Sequence, residues 1–76
     1  MQALTNFESS AVETLSLEPE TGTVEVGFFT GDYTYYGVSK RAIEKLINSP
    51  AQSIGAWVNN NCLNVEGVTW EYGFAS

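Results

Sequence analysis

Residues 23–37 read Thr-Val-Glu-Val-Gly-Phe-Phe-Thr-Gly-Asp-Tyr-Thr-Tyr-Tyr-Gly, and this stretch decides the fold. Large apolar side chains recur at every second position on both sides of a central Gly-Asp pair: Val24, Val26, Phe28, Tyr33 and Tyr35. A two-residue period is typical of strands with one buried face. Gly31-Asp32 suits a two-residue hairpin turn whose first central position needs a positive φ. The pattern therefore predicts strands over 23–30 and 33–37, paired across this turn.

The predicted turn also sets the register of the hairpin. With Gly31-Asp32 as the loop, Phe28 lies opposite Tyr35 and the two valines share their face. The opposite face then carries a mixed set: Glu25, Gly27, Phe29, Thr34 and Tyr36. A slip of one residue would exchange the two faces, so the pattern and the turn support each other.

Outward from the hairpin, the chain predicts one further strand and two helices. Alternation predicts a strand over 11–17, joined to the hairpin by a Pro- and Gly-containing turn at 18–22. Ser39 is a good N-cap for a helix whose apolar positions recur at helical spacing: Ala42, Ile43, Leu46 and Ile47. Ser49 is predicted to cap a second helix over 50–59, with Pro at its first position.

The two ends of the chain are less regular. Residues 1–8 lack a period and are predicted to form a loose lead-in. The C-terminal extension, 62–76, alternates again from Gly67 to Phe74, with Trp70, Tyr72 and Phe74 on one face, which is compatible with a fourth strand.

The predicted fold is thus a single α+β domain over residues 1–76. It is a three-stranded antiparallel meander, with the C-terminal extension as a candidate fourth strand, packed on one face by two short helices. The predicted core comprises apolar residues from every element: Leu15, Leu17, Val24, Val26, Phe28, Tyr33, Tyr35, Ile43, Leu46, Ile47, Ile54, Trp57 and Val58.

The amino-acid composition limits the functions that the chain can have. The chain has 76 residues, a net charge of −6, one cysteine and no histidine. A single cysteine excludes an internal disulfide framework and a cysteine-cluster zinc site. The absence of histidine removes the usual general base and imidazole ligand, so we expect neither an enzyme nor a metal or other cofactor. No apolar run reaches about 18 residues and no secretory signal is visible, so we expect no membrane contact.

The order of these motifs resembles the KTSC domain, a small family named for a C-terminal segment of some lysyl-tRNA synthetases. The matching residues run from the first strand to the second helix: Ser9-Ser10, Glu18-Pro19-Glu20, Gly22, Val24, Val26, Phe28, Gly31, Tyr33, Tyr35, Val38 and Ser53-Ile54-Gly55-Ala56-Trp57-Val58-Asn59. The resemblance covers roughly residues 9–60.

Three features depart from the family pattern. Basic residues common around its Ser-x-Gly motif are replaced here: Ile54, Ala56, Asn60 and Asn61. Val58 stands where the family has a second aromatic, and the tail beyond Asn61 exceeds the pattern. The resemblance implies a compact α+β fold without established catalysis, in the cytoplasm of a bacterial cell or phage-infected host. It also implies a nucleic-acid role, which the replaced bases weaken.

Two sets of residues are candidate binding sites. All three bases fall together at the start of the first predicted helix, as Lys40, Arg41 and Lys45, where free N–H groups could help them hold a phosphate or carboxylate. The alternative is that they only keep the helix surface soluble. Phe29 and Tyr36 could stack nucleic-acid bases. The alternative is that the C-terminal aromatics, or a second copy, cover them.

We therefore expect a non-catalytic binding or accessory module that contacts a protein partner or a second copy of itself. The alternative is a nucleic-acid-binding module that uses the basic helix start. A third hypothesis is an acidic decoy that occupies a basic groove on a nucleic-acid enzyme, through acids of the N-terminal half: Glu13, Glu18, Glu20 and Glu25. Six acids and no base in the first 32 residues motivate it.

Overall fold

A computed structural model of the chain describes residues 2–4, 11–49, 53–63 and 65–73. In these ranges it contains a five-stranded antiparallel sheet whose strands lie side by side in chain order. The elements are β1 (Gln2–Leu4), β2 (Val12–Glu18), β3 (Thr23–Phe28), β4 (Gly31–Tyr36), α1 (Lys40–Asn48), α2 (Ile54–Val58), a π-helical segment (Asn59–Leu63) and β5 (Thr69–Tyr72). The α+β class and the meander are confirmed.

Both additional strands lie at sheet edges. β5 confirms the candidate fourth strand and pairs with β4, so that Trp70 lies opposite Tyr35 and Tyr72 opposite Tyr33. The prediction of a loose lead-in over 1–8 is wrong for Gln2–Leu4, which pair with β2. A segment of three residues is too short to show a strand period in the sequence. Half-buried Leu4 packs against the core and so helps to hold β1 on the sheet.

The hairpin turns two residues earlier than predicted. Phe28 pairs with Gly31 and Val24 with Tyr35, so the loop is Phe29-Thr30 rather than Gly31-Asp32. Each β3 residue therefore pairs with a residue four positions earlier than expected. Because four is an even number, the two predicted faces survive this correction.

Both helices pack on the face of the sheet that carries the valines, which we call the core face. Most of the predicted core is confirmed, with Val12, Val38 and Cys62 added to it. Phe28, Tyr33 and Ile47 are only half-buried against this core. The opposite face of the sheet is called the outer face below.

The second helix is shorter than the predicted span of 50–59. Ser53, not Ser49, caps α2 through its Oγ, which accepts from the N–H of Ala56. Ser49 instead ends α1, because its N–H donates to the carbonyls of Lys45 and Leu46. From Asn59 to Leu63 the chain continues as the π-helical segment. Residues 50–52 of the predicted helix lie outside the described residues.

No helix in the described part of the chain is both long and apolar enough to span a bilayer.

Candidate functional sites: the aromatic edge and the basic groove

Four aromatic side chains gather on the core face toward the β5 edge of the sheet. We call this cluster the aromatic edge: Phe28, Tyr33, Trp70 and Tyr72. The rings of Phe28, Trp70 and Tyr72 each meet the Tyr33 ring edge to face, with centroids 5.8, 5.5 and 5.2 Å away. This geometry is favourable for aromatic pairs and orders the cluster around Tyr33.

The two β5 residues of the aromatic edge are exposed. Trp70 is 61% and Tyr72 72% exposed, although their register places them on the same face as the buried Tyr35. The Tyr72 ring lies over Gly31, where an added Cβ would come within 3.0 Å of it. Large exposed apolar side chains that are contiguous and ordered are typical of contact surfaces.

The backbone of β5 offers hydrogen-bonding groups along the same edge. The N–H of Gly73 donates to the carbonyl of Asp32 across 2.7 Å, which fixes which β5 residues face β4. In an antiparallel ladder the backbone groups of every second residue point toward the neighbouring strand, so the N–H and C=O groups of Glu71 and Thr69 also point toward β4. The N–H and C=O groups of Trp70 and Tyr72 consequently point away from β4, and within the described ranges no strand lies on that side.

The outer face of the sheet is acidic. Cross-strand pairing aligns Glu25, Thr34 and Glu71 in one row across three strands. Partial burial, the negative charges of Glu71 and Glu25 and a hydrogen bond with Glu71 raise the pKa of Tyr36. Tyr36 therefore sits in a negative field, which repels a phosphate chain.

The three bases lie on α1. Ser39 caps this helix as predicted, accepting from the N–H of Ala42, and its first turn contains no acid. Lys40 reaches back to the β2–β3 turn, where its Nζ lies 3.5 Å from a carboxylate oxygen of Glu20. This exposed pair contributes about 0–1 kcal/mol but takes Lys40 away from its two neighbours.

Arg41 and Lys45 line an open groove between α1 and the α2 region, which we call the basic groove. Its volume is about 850 Å³, and it is also lined by Ser39, Ala42, Glu44, Trp57 and Asn61. The indole N–H of Trp57 donates to the carbonyl of Ala42 across 3.3 Å, and the amide of Asn61 donates to the carbonyl of Trp57 across 2.9 Å. These bonds fix the groove wall, while Glu44 offsets one of its two positive charges.

The five predicted site residues thus occupy three separate places. The bases lie on α1, Tyr36 lies among acids on the outer face, and Phe29 lies in the β3–β4 turn, 63% exposed. Phe29 and Tyr36 do not share a strand face, so no two-ring platform forms from them. The alternative that the C-terminal aromatics cover Phe29 and Tyr36 does not hold for Trp70 and Tyr72, because β5 pairs with β4 and extends the sheet in its own plane. Phe74 lies outside the described residues.

Sequence reasoning missed the aromatic edge although it identified the alternation that builds it. For Trp70 and Tyr72 the sequence offered, beside a fourth strand, the alternative that they cover Phe29 and Tyr36. The missed signal was geometric: two short helices cannot cover the full width of a sheet that gains a strand beyond β4. The outermost core-face aromatics were therefore candidates for exposure.

Cys62 is buried beside Tyr35. Burial raises the pKa of its thiol to about 12, so the nucleophilic thiolate is scarce at neutral pH. Burial, with Cys62 and Tyr33 near by, also raises the pKa of Tyr35. Within the described ranges, no group of three or more acidic or cysteine side chains is placed to hold a metal ion.

A comparison with models of known protein families found no matching family, and a comparison with curated proteins found no match. The resemblance to the KTSC domain stays a prediction from the sequence.

Proposed function

We propose that the chain is a non-catalytic protein-binding module whose contact surface is the aromatic edge. The observation that carries this proposal is the exposure of Trp70 and Tyr72 within an ordered ring cluster. Aromatic side chains supply much of the affinity of protein interfaces because they bury large area at a small cost in rotamer entropy. The expected location in a bacterial or phage-infected cytoplasm belongs to the same proposal.

Binding a partner through the aromatic edge requires no catalytic group on the chain. The Cys62 thiol is buried and burial raises its pKa, so it is poorly placed to act as a nucleophile, which is consistent with a binding role. The rigid support under the rings also favours binding, because pre-ordered side chains lose less entropy on association. Tyr33 supplies that support from the middle of the cluster.

Affinity capture with matched variants tests this function. The tagged protein is compared with a Trp70→Ser, Tyr72→Ser double variant and with an Arg41→Glu, Lys45→Glu double variant, in lysate of cells that express the chain. We expect a partner that the wild type and the groove variant retain and the edge variant loses. That partner is then purified and titrated against all three proteins.

Circular dichroism and amide NMR spectra provide the folding control. The two edge residues are mostly exposed. Arg41→Glu puts an acid in the first turn of α1, which is favourable, whereas Lys45→Glu puts one in the last turn at an exposed position and costs about 0.3–1 kcal/mol, so both double variants should fold. A partner retained equally by all three proteins, or lost only by the groove variant, would contradict binding through the aromatic edge.

Nucleic-acid binding is the second candidate, and the basic groove is the observation that favours it. Arg41 and Lys45 stand one helical turn apart beside Trp57, a spacing that suits contact with phosphates. Labelled single- and double-stranded DNA and RNA are titrated at low salt against the wild type and a Lys40→Glu, Arg41→Glu variant. Salt-sensitive binding that the variant loses would support this candidate, and absence of binding would eliminate it.

The acidic-decoy hypothesis has weaker support. Glu18 and Glu25 share the outer face with Glu71, but Glu20 is engaged by Lys40. If the captured partner has a basic cleft and its binding is lost on Glu18→Gln, Glu25→Gln substitution, the acidic-decoy hypothesis replaces the proposal of binding through the aromatic edge. Recovery only of proteins without basic clefts counts against the decoy.

A further inference from the structure

We infer that the aromatic edge binds an extended, basic segment of its partner by adding a strand to β5. This inference deepens the proposed binding function and depends on it. The added strand alternates apolar and basic residues, with apolar side chains beside Trp70 and Tyr72 and a lysine or arginine beside Glu71. Such a partner fits the backbone, the rings and the charge of β5 at once.

The backbone provides the first argument. The outward N–H and C=O groups of Trp70 and Tyr72 form the hydrogen-bonding pattern that an extended peptide needs when it joins a sheet. All four residues of β5 are exposed, so both faces of an added strand would find room. The neighbouring β4 holds β5 in place through four paired positions.

The side chains provide the second argument. Successive residues of a strand point to opposite faces, so Trp70 and Tyr72 face one way and Glu71 the other. On the aromatic side the partner meets two exposed rings. On the other side it meets Glu71, which shares its row with Glu25, and cross-strand neighbours of opposite charge are favourable.

Charge also argues against a second copy as the occupant. If two β5 strands paired in antiparallel register centred on Glu71, with Trp70 opposite Tyr72, the two Glu71 carboxylates would face each other, which is unfavourable. Each copy also has a net charge of −6. Two such chains repel at low salt, whereas a basic segment is attracted.

The test titrates two blocked nine-residue peptides into the isotopically labelled protein. Valine alternates with lysine in the first peptide and with glutamate in the second. We expect the lysine peptide to bind, with shifted Trp70 and Tyr72 amide signals and slowed hydrogen exchange of those two amides. The glutamate peptide should bind about tenfold more weakly or not at all.

Glu71→Lys should reverse the preference and favour the glutamate peptide. Glu66→Lys is the matched control, because it makes the same charge change in the exposed turn before β5 and should leave the preference unchanged. Glu71→Gln removes the charge without adding another, and should reduce the difference between the peptides even if the lysine variant folds poorly.

Four outcomes would overturn the inference. They are equal binding of both peptides, amide shifts confined to α1, a dimer in light scattering whose β5 amides are protected without peptide, and displacement of the peptide by single-stranded DNA bound at Trp70. If the captured partner needs Trp70 and Tyr72 but binds the Glu71→Lys variant normally, the binding function stands and the inference of a basic added strand fails.

Discussion

At the scale of single residues, Gly22 shows how a turn is tied to a distant part of the chain. Its φ is +70°, and its carbonyl accepts from the N–H of Val38 across 2.9 Å. A Cβ at this position would lie 2.7 Å from the carbonyl oxygen of Val38. Two independent penalties, the left-handed backbone and the close approach, therefore oppose any side chain here.

Gly22→Ala should lower the free energy of unfolding by about 2 kcal/mol or more, measured by urea denaturation. Gly67→Ala is the matched control, because Gly67 also has a positive φ, +90°, but its added Cβ would have no neighbour within 4 Å. The control should cost only the backbone strain, about 1 kcal/mol. Equal losses for the two variants would show that the contact with Val38 is unimportant.

Cys62 permits a prediction about both reactivity and pH. A thiol with a pKa of about 12 rather than 9.0 holds about a thousandfold less thiolate at pH 8, so a disulfide reagent should modify native protein far more slowly than urea-unfolded protein. The unfolded chain releases this proton first as pH rises. The stabilisation is complete below pH 9 and is lost between about pH 9 and 12, by at most about 1.4 kcal/mol per pH unit.

The Cys62→Ala variant isolates this effect from tyrosine ionisation. The difference in unfolding free energy between wild type and variant should shrink as pH rises from 8.5 to 10.5, where both proteins are measured by urea titration. A constant difference, or rapid modification of the native thiol, would contradict the burial of Cys62 in the structure.

At the scale of elements, the β3–β4 hairpin separates what the sequence predicts from what it does not. Alternation identified both strands and their faces, because burial on one face demands a two-residue period. The turn was misplaced because Gly31 was interpreted as a turn residue. In the structure Gly31 opens β4 and leaves space for the Tyr72 ring, a tertiary contact that no local pattern reveals.

The serine pair around residues 50–52 makes a similar point. Ser49 and Ser53 both have the composition of an N-cap, and local sequence cannot choose between them. In the structure the N–H of Ser49 donates to the last carbonyls of α1, whereas the side chain of Ser53 accepts from the N–H of Ala56 and begins α2. The existence of the second helix was therefore predictable, whereas its first residue was not.

The two tryptophans lie on different elements and should differ in their energetic roles. Trp57 of α2 is buried and its indole N–H is bonded, whereas Trp70 of β5 is mostly exposed. Trp57→Phe should lower the free energy of unfolding by about 2 kcal/mol, and Trp70→Phe by less than about 0.5 kcal/mol. Urea denaturation followed by circular dichroism measures both.

Fluorescence of the same variants tests the placement directly. The protein that keeps only Trp70 should emit at longer wavelength and be quenched readily by acrylamide. The protein that keeps only Trp57 should resist quenching. Similar quenching of the two would contradict the exposed aromatic edge and, with it, the proposed binding surface.

At the scale of the whole molecule, charge is separated by the sheet. The bases sit on α1, which packs on the core face, whereas the register places four acids and no base of the described strands on the outer face: Glu18, Glu25, Asp32 and Glu71. The ion pair of Lys40 with Glu20 joins the two sides at the surface. Repulsion within the acidic face outweighs this exposed pair, because several like charges act against one weak attraction.

Salt should therefore stabilise the protein. Raising sodium chloride from about 20 mM to about 200 mM shortens the Debye length from roughly 20 Å to below 10 Å and screens the outer-face acids. We expect the free energy of unfolding to rise by about 0.5 kcal/mol in urea titrations. A Glu25→Gln, Glu71→Gln variant should be more stable at low salt and should gain less from added salt. Lys40→Gln removes the ion pair and should enlarge the gain. A loss of stability on adding salt would mean that attraction between α1 and the acidic turn, rather than repulsion across the outer face, dominates the electrostatics of this molecule.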